Sequence, residues 1–244
     1  KITRILLFFP YYFFHRNYFF GILFKLFVKK FFFKNFCFNI NIDNIKVSQL
    51  SSFLFKTYEY NDRVLVLKYI SKKNHSIVIG GGIGFIATLA YYKSKNKVLI
   101  FEINKKIIQN LSNNLDENKV VYDLFIKNLQ VIKTNEEKNY YYETDDFLES
   151  SIYLSKGKKI FYKSINKEEI TDFNQFNTLI IDAEGSEKYY LDNISEFKNI
   201  KYVYFELHYN LIPQHSIVNI FQQLKENNFE LIDQSFNSFY FEKN

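Results

Sequence analysis

SIVIGGGIGFIATLAYYKSKNKVLIFE, residues 76–102, joins a short β-branched run, a cluster of glycines, a helical run and a second apolar run that ends in an acid. Residues 76–79 are too few and too β-branched for a helix. Gly80, Gly81, Gly82 and Gly84 follow at once, where a strand must turn sharply into a helix. Four of the chain's seven glycines fall in this turn. Glycine allows positive φ and lets a ligand lie on bare main chain, while the free N–H groups of the following helix face that ligand. The pattern predicts a β–α–β unit holding a nucleotide-like cofactor over Gly80, Gly81, Gly82 and Gly84. Residues 98–101 form its second strand. Glu102 then stands where an acid about 20 residues past such a turn accepts hydrogen bonds from ribose hydroxyls. The bland alternative is a strand-to-helix turn that binds nothing, and the agreement of strand, turn, helix, strand and acid argues against it.

With 244 residues and 47% hydrophobic content the chain has enough apolar surface for one full core and an appendage. Its single cysteine, Cys37, excludes an internal disulfide framework and a cysteine-based zinc site, and fits a reducing cytoplasmic compartment. No metal site is expected, since no spacing of carboxylates and histidines demands one; a hard metal on Asp182, Glu184 and His208 is the form one would take. The absence of methionine suggests a natural start that lies elsewhere or was trimmed. The net charge of +6 sits at one end: seven bases precede the first acid, Asp43, and without them 25 bases face 26 acids. The body is near neutral, so the charge gives no reason to expect a nucleic-acid partner.

Residues 1–38 interleave those seven bases with sixteen aromatic rings. The longest uncharged runs, residues 5–14 and 17–24, fall well short of the roughly 18 to 20 residues a membrane crossing needs. Helices that cap the core with their aromatic faces are the preferred reading, and a basic aromatic surface resting on anionic lipid is the alternative. Residues 1–56 are taken as this segment and 57–244 as the main domain. Residues 58–72 have helical spacing and lead into the first strand. Asn104 is placed to cap a helix running to about residue 114. Residues 129–133 suggest a strand, and the tyrosine-rich NYYYETDDFLESSIY, residues 139–153, is placed to cross the ligand site. FNTLIID, ending at Asp182, and YVYFEL, ending just before His208, read as parallel strands buried on both faces. Both deliver polar groups to the carboxyl edge of the sheet, where open α/β folds bind ligands. Residues 216–227 have helical spacing, and residues 229–233 and 238–241 read as a closing hairpin.

A glycine turn, an acid ending the second strand, an acid ending a later strand and a closing hairpin resemble a class I S-adenosylmethionine-dependent methyltransferase. The chain resembles more closely the FkbM family of O-methyltransferases, through Tyr58 and Glu59, Gly80 to Phe85, Phe101 to Asn104, DAEGSE (Asp182 to Glu187) and FELH (Phe205 to His208). The resemblance covers about residue 58 to the end. It implies a Rossmann-like methyltransferase sheet, mostly parallel with an antiparallel carboxyl-terminal hairpin, and S-adenosylmethionine as cofactor. It also implies a hydroxyl on a sugar, glycolipid or similar metabolite as acceptor. One position departs: Val78 stands where the family's first strand has an acid that helps hold the amino-acid end of the cofactor.

Methyl transfer to oxygen needs an aligned acceptor and a base for its proton. The candidates are Asp182, His208 and Glu184, with Asp182 also close enough in the pattern to touch the cofactor. Glu184 or Glu187 has a plainer use as a first-turn acid of the next helix, and His208 as a satisfied buried ring. Two competing readings stand beside this one. VIGGGIGFIA followed by LIFE also resembles the fingerprint of a flavin or nicotinamide oxidoreductase, although its third glycine falls on Phe85. A methyltransferase fold acting only as a binding module is the other.

Overall fold

The computed structural model describes residues 17–40, 45–132, 140–143 and 157–244. Helix α1 (Tyr18–Phe27) is followed by a hairpin, β1 (Lys30–Phe33) and β2 (Phe36–Asn39), and by α2 (Val47–Leu54) and α3 (Tyr60–Tyr69). The unit read from the glycine turn comes next as β3 (Ser76–Ile79), α4 (Phe85–Ser94) and β4 (Val98–Phe101), then α5 (Ile108–Glu117) and β5 (Tyr122–Phe125). A long connection carries the short strands β6 (Asn128–Gln130), β7 (Tyr140–Glu143), β8 (Lys158–Phe161) and β9 (Ser164–Asn166). The chain re-enters the main sheet with β10 (Thr178–Ile181), a short α6 (Glu187–Asp192), β11 (Tyr202–Glu206), α7 (Gln214–Glu226) and the closing hairpin β12 (Phe229–Ser235) and β13 (Ser238–Lys243).

The seven-stranded sheet runs β12-β13-β11-β10-β3-β4-β5. All neighbours pair in parallel except β13, which is antiparallel to both β11 and β12. The chain moves outward from β3 through β4 to β5, then returns to the other side of β3. The order therefore reverses between β3 and β10, and a crevice opens beyond the strand ends at such a switch point. Register decides what lines it: Ile79 pairs with both Phe101 and Ile181, so Gly80, Glu102 and Asp182 emerge together at one edge. This is a Rossmann-like sheet, mostly parallel with the expected antiparallel hairpin.

Alternation along the strands builds two cores, one on each face. Val78, Ile100, Ile180, Tyr204 and Tyr240 pack with α3, α4, α5 and the amino-terminal elements, while Ile77, Leu99, Leu179, Val203 and Phe241 pack on the opposite face with residues such as Leu191, Ile220 and Leu224. Phe24, Phe31, Phe38, Leu50 and Phe53 belong to the first of these cores, continuous with Phe85 and Leu111. The amino-terminal aromatics in the described range thus cap the sheet. They do so with one helix and a hairpin rather than with helices alone. Lys34 takes φ 52 in the hairpin turn, and alternate rings turn inward, with Phe31 and Phe38 paired across the strands. Residues 1–16 of the expected segment lie outside the described residues. Among the described residues no helix is long and apolar enough to cross a membrane.

The hairpin docks through side-chain amides. Asn114 accepts from the Asn39 N–H at 2.7 Å and donates to the Asn39 carbonyl at 3.1 Å; Asn118 does the same with Cys37 at 3.0 and 2.8 Å. Four residues of helix rise about 6 Å and two residues of strand about 6.6 Å, so the two spacings match.

Candidate cofactor and catalytic site

The glycine turn opens into a cavity of about 260 Å³ at the ends of β3, β4 and β10. Its four glycines have different reasons to be there. Gly80 has φ +88, and a Cβ on it would fall 1.8 Å from the Asp182 carbonyl oxygen, so the ends of β3 and β10 touch through bare backbone. A Cβ on Gly81 would strike Leu111 at 2.7 Å, and one on Gly84 would crowd Leu111 and Leu115 at 3.1 to 3.3 Å. Gly82 alone among the four has room: the nearest atoms to its Cβ position are the Tyr58 hydroxyl at 3.6 Å and Glu59 Oε1 at 3.8 Å. The face of the turn open to a ligand is therefore that of Gly82.

Glu102 is 8% exposed and does more than wait for a ribose. Its Oε2 accepts the N–H groups of Gly81 and Gly82 at 3.0 and 3.2 Å, and Oε1 accepts that of Asn104 at 2.7 Å. Two N–H groups expected to face the ligand are thus spent on the acid that ends β4. Burial raises the Glu102 pKa, and the backbone N–H groups oppose that rise. A carboxylate has about four acceptor positions, so Oε1 keeps one for a ligand hydroxyl. Next to it, Asn104 accepts the Lys106 N–H at 3.1 Å within a turn, whereas the helix it was expected to cap begins only at Ile108 and runs to Glu117. Asn104 is 5% exposed, lines the cavity, and its Nδ2 meets no acceptor.

The opposite wall gathers acids from three parts of the chain. Glu59 and Asp62 come from the start of α3, Asp182 and Glu184 from the segment after β10, and Glu206 from the end of β11. Desolvation and the neighbouring Glu206 carboxylate hold the Asp62 and Asp182 carboxyls well above the usual range. Desolvation and Glu206 also raise Glu59, to about 7, against the Tyr58 hydrogen bond and Arg63. Among these, Asp62, Glu59 and Glu206 were not read as site residues. Asp62 has the signature of an ordinary first-turn helix acid. Glu206 lies two residues before His208, and period-two alternation puts both on one face.

His208 completes this wall. Its Nδ1 lies 2.8 Å from Glu187 Oε1, and its Nε2 lies 3.4 Å from Glu184 and 3.8 Å from Asp182. Burial alone would push the ring towards its neutral form. The hydrogen bond and charge of Glu187, joined by Glu184 and Asp182, outweigh it and raise the pKa to about 11. Glu187 is fully buried, and its Oε1 also accepts the Ala183 N–H at 3.1 Å, so the plainer use foreseen for it is present together with a second one, the orientation of His208. Asp182, Glu206 and His208 each offer a donor atom within 4.8 Å of the others, the atom types a divalent cation takes. The imidazolium already places a positive charge among them, and a metal ion would have to displace its proton.

Tyr141, on β7, is buried and lines the cavity, so the described part of the tyrosine-rich segment does reach the site; residues 144–153 of it lie outside the described residues. Phe85, which interrupts the dinucleotide fingerprint, turns its ring away from the sheet into Phe31, Phe33 and Phe38 at 5.3 to 5.4 Å between centroids.

No protein-family model and no curated protein matches the chain. Solved structures do. An uncharacterized protein from Listeria monocytogenes is 10% identical with a TM-score of 0.45 over 75% of this chain, which spans 66% of that protein. A ribosomal-protein methylase from Lactobacillus delbrueckii subsp. bulgaricus is 16% identical with a TM-score of 0.43, over 75% of this chain and 77% of its own. The TYW2 protein of Pyrococcus horikoshii, in complex with MeSAdo, is 11% identical with a TM-score of 0.49, over 87% and 68%. At these identities the activity has to be argued from the residues of the cavity itself.

Proposed function

We propose that the protein transfers a methyl group from S-adenosylmethionine to a hydroxyl oxygen of a sugar, glycolipid or similar polar metabolite. The observation that carries the reading is the charge of the cavity. Glu59, Asp62, Glu102, Asp182, Glu184 and Glu206 surround the glycine turn, against His208 and Lys127. S-adenosylmethionine brings a neutral nucleoside, a sulfonium, an ammonium and one carboxylate, a net positive charge that such a wall attracts. A flavin or nicotinamide dinucleotide brings a pyrophosphate, which the same carboxylates repel.

When bound, the cofactor supplies an already activated methyl group, so the chain has to bind, orient and remove one proton. Gly82 offers the bare face of the turn, and Glu102 and Asn104 offer an acceptor and a donor to the nucleoside end. Of the three candidate bases, His208 is the least suited, because an imidazolium has no lone pair for a proton. Asp182 carries the role: its raised pKa makes it a stronger base than an ordinary aspartate, and it stands at the edge where the acceptor must enter. Tyr141 and Lys127 supply hydrogen-bonding groups to a polyhydroxylated acceptor on the neighbouring side.

The test is incubation with methyl-labelled S-adenosylmethionine and fractions of glycans, lipids and small metabolites. Label in a hydroxyl-bearing fraction is expected. Label found only in protein or nucleic acid overturns the acceptor class. Cofactor bound with no label in any fraction favours a binding module.

A further inference from the structure

We propose that Glu59 is the residue that holds the ammonium group of the cofactor's amino-acid arm, an inference that rests on the methyltransferase reading and adds a binding residue to it. The argument begins at the turn. Gly81 lies against Glu102, whose Cβ is 3.5 Å from where a Gly81 Cβ would sit, and Gly82 lies against Glu59 Oε1 at 3.8 Å. A ligand resting on the open face of Gly82 therefore has one carboxylate towards each end. If the ribose lies on Glu102, the amino-acid arm runs towards Glu59.

The strand leading into the turn gives that arm nothing to hold, since Val78 is 2% exposed and packed in the apolar core. Most of the other acids of this wall are already engaged. Glu206 accepts from Asn237 Nδ2 at 2.6 Å, and Asp182 and Glu184 face the His208 ring. Glu59 differs. Tyr58 hydrogen-bonds to its carboxylate, but Oε2 is shut off from solvent and meets no donor. The nearby cation Arg63 donates to the Lys56 carbonyl at 2.8 Å. A buried carboxylate oxygen without a donor is costly, and an ammonium with three N–H groups is the ligand chemistry that relieves it.

The backbone adds an independent sign. Glu59 caps α3 at φ 44 and ψ 40, a left-handed conformation uncommon for glutamate and unsupported here by any side-chain capping bond. Strain of this kind persists where a side chain must be aimed, and the aim here is into the cavity at Gly82.

The experiment is calorimetric titration of the wild-type and Glu59→Gln proteins with three ligands: S-adenosylmethionine, S-adenosylhomocysteine, and 5′-methylthioadenosine, which keeps the nucleoside but lacks the amino-acid arm. The variant is expected to weaken the first two by roughly 10- to 100-fold, the range for a hydrogen bond to a charged group, and to leave methylthioadenosine within about two-fold. Glu59→Asp, which keeps the charge but retracts it, should give an intermediate loss with the same selectivity. Equal losses for all three ligands would make Glu59 a shaper of the turn and overturn the proposal, as would no loss for any. Wild-type protein that binds none of the three overturns the methyltransferase reading and this inference together; normal wild-type binding with an unselective variant overturns this inference alone.

Discussion

The two walls of the cavity are both acidic and are built on opposite principles. On one side a single carboxylate, Glu102, accepts three main-chain N–H groups and serves as a strut for the glycine turn. On the other side, carboxylates from α3, β10 and β11 face one another with a single imidazolium between them, and several sit above their ordinary pKa. The first wall is held by its own main chain. The second holds more carboxyl groups than cations, and a bound cation would let them ionise, which is the condition of a surface shaped for a cation. Geometry is fixed on the Glu102 side, and carboxyl groups are kept in reserve on the side of Glu59, Asp62 and Asp182.

Four measurements would break or sharpen that contrast, the largest expected effect first. Asp182→Asn should lower turnover by about 100- to 10,000-fold while calorimetry still detects cofactor, as removal of a base does. Loss of binding and turnover together would instead make Asp182 part of the cofactor's hold. Glu102→Ala should cost about 3 kcal/mol of stability in denaturant titration, because three buried N–H groups lose their acceptor. A change within experimental error would show that water takes over and that the wall is no strut. Glu187→Gln should bring His208 down from about 11 towards the ordinary histidine range, by at least a unit. An NMR titration would then show the ring losing its proton at a lower pH in the variant than in the wild type.

The smallest effect concerns pH. Glu59 is raised from 4.5 to about 7, so the folded protein binds its proton more tightly than the unfolded chain does. The stability this provides is fully present below pH 4.5 and is lost as pH rises through about 7. Glu59→Gln, which never ionises, should match the wild type in acid and exceed it in stability at about pH 8. A constant difference across that range would mean that Glu59 titrates normally.

Much of the fold was legible because it follows from short-range pattern. β-Branched runs, a glycine cluster and a terminal acid define the unit around β3 and β4, and FNTLIID and YVYFEL are strands buried on both faces. The hairpin β1–β2 was not legible. In KKFFFKNFCF half the positions are phenylalanine and three of them are consecutive, so alternation leaves no clear trace in composition, and the left-handed turn residue is Lys34 rather than glycine. At the site, the candidate residues Asp182, Glu184, Glu102 and His208 do converge, since each follows directly from a strand end. Glu59 and Asp62 lie more than a hundred residues from Asp182 in the chain. They join it only because α3 packs over the carboxyl edge, a tertiary fact without a local signal. Nor could spacing say that Glu187 would hold His208 charged, because the distance between them is set by the register of β10 and β11.

The paired amides of Asn114 and Asn118 bear on solubility. An edge strand with free N–H and C=O groups is a template on which another chain can add a strand, and a phenylalanine-rich edge is a hazardous one. Here the outer hydrogen-bonding groups of Cys37 and Asn39 are taken by the two amides, so a helix closes the edge in the way a third strand would. Each amide works because it carries a donor and an acceptor together. An aspartate in either place has the same shape and lacks the donor, and it would turn this closed margin into a starting point for intermolecular sheet growth.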